Sequence, residues 1–220
     1  GIGSVWNTGK VSNSGAGTIE ITGGDITAIG ASDGAGIGSG TWATGETNIT
    51  ISGTAKINAR TDQGGAGIGS GDGSTGQTTV TIKSGTIKNA TGQTGDGIGG
   101  GCDSKNITVK IEGGTIEKAK GGDGYGSHDA GDGIHSDGKL TISGGTIGTA
   151  QGGNGTISGG SGILGNTMEI LAGTIQKAIG GNSTGTGEND TGGDGISARE
   201  FNISGGKIQQ ATGGASTNGS

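Results

Sequence analysis

Proline is absent from this chain, aromatic side chains make up 2% of it, and Cys102 is its one cysteine. Each shortage excludes something. One cysteine forms no intrachain disulfide, so no covalent staple holds the fold. One Phe, one Tyr and two Trp cannot fill an ordinary globular core. There is no long apolar run, so no helical membrane span is expected. Positive charge is also scarce: 13 basic residues face 19 acidic ones, spread along the chain, for a net charge of −6. Nucleic acid and anionic membrane surfaces call for clustered Lys and Arg, so neither is an expected partner.

What the chain does have is glycine, 60 residues in 220. Without periodicity that content reads as disorder. Here the glycines punctuate a repeat. A Gly-Ile pair places Ile at 2, 37, 68, 98, 134, 163 and 196. An apolar-x-Ile pair follows: Ile19/Ile21, Ile49/Ile51, Val80/Ile82, Val109/Ile111, Leu140/Ile142, Met168/Ile170 and Phe201/Ile203. After a Gly-containing turn comes a third Ile, at 26, 57, 87, 116, 147, 175 and 208, with an Ala close behind it.

Such self-similarity is the mark of a solenoid. The anchors are short, β-branched and flanked by turn residues, and the second alternates with the period of a half-buried strand. So much Gly leaves no helical periodicity. The spacing predicts an all-β, single-domain parallel β-helix of about seven coils, roughly thirty residues and three short strands per coil. Parallel crossovers are overwhelmingly right-handed, so a right-handed solenoid is expected. A narrow column of stacked Ile, Val and Ala needs few apolar residues per coil, which accounts for the composition. The missing proline fits strands paired on both edges, where every backbone N–H is used. Opening on GIGSVW, inside a repeat, residues 1–220 read as one domain cut from something longer. Both ends of the rod are expected to leave open strand edges, a route to self-association.

The spacers differ where the anchors do not. From the Gly-Ile isoleucine to the next anchor the steps are 17, 12, 12, 11, 6, 5 and 5; from the third Ile to the next Gly-Ile they are 11, 11, 11, 18, 16 and 21. One set of loops swells early in the chain and another swells late. Loops on a rigid scaffold carry recognition, although solenoid corners also tolerate insertions cheaply. Trp6 and Trp42 both fall in the early set, and Tyr125 stands alone in the late one. The two indoles serve either as a platform for the apolar faces of sugar rings or as a lid over the column.

Two residues before the Gly-Ile isoleucine stand Ala35, Ala66, Asp96, Asp132, Ser161 and Asp194. Asp96 and Asp132 fall on adjacent coils, close enough for their carboxylates to interact. Two readings are open. Calcium suits such a place, with Asp137, Asp123 and Asp129 in neighbouring loops as further ligands. Alternatively each Asp side chain accepts backbone N–H groups in an Asx turn. His128 and His135 read as solvated loop residues. The only arginines, Arg60 and Arg199, lie in distant coils, so a lyase or hydrolase centre is not expected. A column of four threonines, Thr86, Thr115, Thr146 and Thr174, is interrupted by charge at both ends and matches ice-binding arrays poorly.

DGIHSDGKLTISGGTI, 132–147, resembles the repeat of a bacterial carbohydrate-binding β-helix family related in fold to pectate lyases. AGIGSG (35–40 and 66–71) and NITISG (48–53) resemble Gly-rich, adhesin-like modules of large bacterial surface proteins. The resemblance implies an extracellular or bacterial cell-surface location and polysaccharide binding without turnover. It also implies calcium near Asp132 and Asp137 first, then Asp96 and Asp194. Ala35 and Ala66 depart from that pattern, which confines calcium to the C-terminal two-thirds. The expected function is therefore a non-catalytic module that binds polysaccharide or surface glycans through Trp6, Trp42 and Tyr125. The second expectation is a structural stalk or filament subunit, stacked end to end.

Overall fold

The structure is a computed structural model that describes residues 1–3, 17–125, 128–187 and 190–217. The chain is an all-β solenoid of parallel strands, and the repeat anchors set its register. Ile2, Ile37, Ile68, Ile98, Ile134, Ile163 and Ile196 pair one on the next, a ladder that spans six full turns. A second ladder stacks Gly17–Ile21, Thr47–Ile51, Thr78–Ile82 and Ile107–Ile111. A third stacks Asp25–Gly30, Lys56–Thr61, Thr86–Thr91 and Thr115–Lys120.

Three short strands per coil holds for the first four coils only. In the fifth and sixth coils the segments run together as Ile134–Gln151 and Ile163–Ile179. The cause is the shortened spacer: six and five residues after Ile134 and Ile163 leave no slack for a loop, so the chain stays extended between ladders.

The core is a column one residue wide at each ladder. Ile37, Ile68, Ile98, Ile134 and Ile163 are 0% exposed. Ile57, Ile87, Ile116, Ile147 and Ile175 stack beside Ala59, Ala90, Ala119, Ala150 and Ala178. Burying each isoleucine side chain stabilises the fold by about 1.5–3 kcal/mol. On the terminal coils the column is bare: Phe201 is 48% and Ile203 50% exposed, and Ile2 is 37% exposed. No helix among the described residues is long and apolar enough to cross a membrane.

Glycine is mandatory where coils touch backbone to backbone. At Gly69 (φ 142°) a Cβ would lie 1.8 Å from the carbonyl oxygen of Gly99 on the next coil. No side chain fits there. The first ladder is therefore a thin wall, with the early loops leaving it on one side and the late loops arriving on the other. Backbone bonds tie the two sets together: Asp72 N donates to Asp33 O at 2.8 Å, and Cys102 N to Gly64 O at 2.9 Å.

Candidate functional site: an acidic groove and an Asp-His corner

Because both loop sets flank the same ladder, they enclose one open groove. Its lining includes Asp33, Asp62, Asp72, Asp103, Tyr125 and His128. The rings of Tyr125 and His128 meet at 5.7 Å and 53°. Tyr125 is 65% exposed and Trp42 is 62% exposed. The Trp42 ring lies over Gly73, where an added Cβ would come within 2.5 Å of it. Trp42 is thus no lid on the column; one face rests on the neighbouring coil beside Asp72, and the rest is open. Burial, then the nearby charges of Asp33 and Asp103, raise the Asp72 carboxyl above its ordinary range, against a hydrogen bond from Gly73 N. Trp6 lies outside the described residues.

A second cluster sits where the groove continues past Cys102 and Asp129. Asp96 and Asp132 are 5% and 8% exposed. Asp96 accepts the Gly100 N–H at Oδ2 (2.7 Å) and the Asp132 N–H at Oδ1 (2.8 Å). Asp132 Oδ1 in turn accepts the Ser161 N–H at 2.5 Å. Each carboxylate therefore hooks the coil that follows it, so Asx-type bonding of the corner is present. His135 Nδ1 stands 2.9 Å from Asp96 Oδ2 and 3.8 Å from Asp132 Oδ2. Its Nε2 faces Asp137 Oδ1 at 3.6 Å, and the other Asp137 oxygen accepts the Ile107 N–H at 3.0 Å.

His135 is not the solvated loop residue that its Gly-rich surroundings suggest: its side chain is 23% exposed and packed among carboxylates. Burial pulls the imidazole toward neutrality, but Asp96, Asp132 and Asp137 outweigh it and push its pKa up to about 10. Burial and the Asp96 charge push the Asp132 carboxyl up to about 7, while His135 and the Ser161 N–H oppose them. The signal for His135 lies one residue after the Gly-Ile isoleucine. That position reads Gly3, Gly38, Gly69 and Gly99, then His135, Leu164 and Ser197. Alternation holds along the strand that begins at Ile134, with His135 half-buried between fully buried Ile134 and Ser136. Asp132 precedes that strand, so strand parity does not fix the side its carboxylate takes.

Of the carboxylates expected to share a cation, Asp96, Asp132 and Asp137 come together and Asp194 does not. Asp194 is exposed and two coils beyond Asp132, with Ser161 in the register between them. A calcium shell takes six to eight oxygens in a flexible cage. The atoms that converge here are two carboxylates and an imidazole nitrogen, a donor set that fits calcium poorly. Arg199 lies nearer this corner than its place in the chain suggests, since it lines a shallow depression together with His135 and Asp137. Compared with protein-family models, curated proteins and solved structures, the chain matches none.

Proposed function

We propose that the solenoid is a non-catalytic module that binds polysaccharide or surface glycans along its loop groove, in an extracellular or bacterial cell-surface setting. The observation that carries this reading is the groove itself, with exposed Tyr125 inside it beside acidic side chains and exposed Trp42 adjoining Asp72. Aromatic faces stack on the C–H faces of sugars. Carboxylates and side-chain amides such as Gln63 and Gln93 accept and donate hydrogen bonds to hydroxyls. The groove runs across several coils, a shape suited to an extended chain rather than to a single ring.

The test is a glycan array followed by titration of its hits. Trp42→Ala and Tyr125→Ala should each weaken binding by about tenfold or more. Unchanged affinity for every hit in the double variant contradicts the reading.

A second reading, a stalk or filament subunit stacked end to end, draws on the exposed Phe201 and Ile203 at one end and Ile2 at the other. Sedimentation that shows only monomers at high protein concentration removes it.

A further inference from the structure

Glycan binding in the groove gives the Asp-His corner no role, and the chemistry of that corner is independent of it. Three ligand atoms, one each from Asp96, Asp132 and His135, all lie within 4.8 Å of one another. Nδ1 of His135 hydrogen-bonds Asp96 Oδ2 at 2.9 Å and stands 3.8 Å from Asp132 Oδ2, so a cation that binds Nδ1 displaces its proton to solvent. A small divalent cation bound at about 2.1 Å sets its adjacent ligands about 3.0 to 3.5 Å apart. The two distances from Nδ1 straddle that range and the carboxylate–carboxylate separation is no more than 4.8 Å, so closure by roughly an ångström brings all three ligands onto one ion.

Two further observations point to a ligand rather than to a self-contained turn. Asp132 is only 8% exposed, and its Oδ1 takes the Ser161 N–H. Among the described residues no hydrogen bond reaches its Oδ2, which faces the His135 ring. The ring is also supported from behind. Nε2 faces Asp137, itself fixed by the Ile107 N–H. A metal-bound imidazole with a carboxylate on its far nitrogen is the arrangement that orients such ligands and raises their basicity. Asp96 is held in the same way by Gly100 N and Asp132 N.

Room for the ring comes from Gly99 beneath it. A Cβ there would lie 2.6 Å from Asp96 Oδ2 and 3.0 Å from His135 Cβ. Only with glycine in the fourth coil and histidine in the fifth do these three side chains meet.

We infer that Asp96, Asp132 and His135 form a site for a borderline divalent cation of the zinc, cobalt or manganese type, with Asp137 as the positioning carboxylate behind the imidazole. One nitrogen and two carboxylates suit such ions better than calcium, which prefers oxygen alone. The remaining coordination positions open into the groove shared with Cys102 and Asp129, where water or a ligand oxygen completes the shell.

The full chain, stripped with a chelator, is titrated with Co²⁺ by visible absorption and calorimetry, then melted with Zn²⁺ or Ca²⁺. The expected result is one Co²⁺ per chain and a higher melting temperature with Zn²⁺ than with Ca²⁺ at equal concentration. His135→Gln and Asp132→Asn should each abolish the cobalt spectrum, and Asp137→Asn should weaken binding about 10- to 100-fold. Asn at 132 keeps an acceptor for the Ser161 N–H, so that variant decides the matter if His135→Gln fails to fold. Absence of binding overturns the inference. So does cobalt affinity that survives Asp132→Asn, and so does stronger stabilisation by Ca²⁺ than by Zn²⁺.

Discussion

Single residues in this solenoid are under unequal constraint, and glycine and aspartate show it most clearly. A methyl group at Gly69 has nowhere to go, because the Gly99 carbonyl oxygen would be 1.8 Å away and the backbone at φ 142° disfavours any side chain. Gly69→Ala should cost about 3 kcal/mol or more, read from denaturant unfolding. A loss within experimental error would mean that the coils do not approach as described. Asp72 makes the opposite prediction. Its carboxyl is held above the ordinary range, so the folded state keeps a proton that the unfolded chain has already released. The stability tied to that proton is complete below the unfolded pKa and is lost as pH rises through the folded one. Asp72→Asn should therefore be more stable than the parent at pH 7, with the gap closing toward pH 4. A gap that widens on acidification contradicts the crowding of Asp72 with Asp33 and Asp103. The pairing of Asp96 with Asp132 was legible from their shared place in the repeat. The approach of His135 to them was not, because Asp132 lies before the strand that begins at Ile134, where parity does not tell which side a carboxylate takes.

At the scale of strands and loops, the ladders follow from spacing alone. Seven Gly-Ile pairs at near-constant period, each followed by an alternating apolar pair, allow little besides stacked parallel strands. Fusion of segments in the fifth and sixth coils departs from the expected three short strands per coil, because a spacer of five or six residues cannot form an excursion. What spacing conceals is where the loops go. The early and late loops look like separate decorations in sequence, yet they depart from and return to the same ladder and so share a groove. The column predicts its own gradient of sensitivity. Ile116, 1% exposed in the middle of the stack, should lose about 2–5 kcal/mol on conversion to Ala. Ile203, 50% exposed on the last coil, should lose about 1 kcal/mol or less. Equal losses at both positions would mean that the last coil is covered in solution.

For the whole molecule, rigidity is the property that the proposed function uses. Each coil bonds to the next along three ladders, so the groove is held in shape before any ligand arrives and little ordering entropy opposes binding. Its aromatic side chains sit at the loop face, whereas Phe201 stands at the open end on a different ladder. That separation makes Phe201→Ala the natural control. The most direct measurement is calorimetric titration of an array-identified glycan against the parent chain, Tyr125→Ala and Phe201→Ala. Recognition in the groove predicts an affinity loss of about tenfold or more for Tyr125→Ala and none for Phe201→Ala. Parent-like affinity in Tyr125→Ala, or a loss confined to Phe201→Ala, would contradict it.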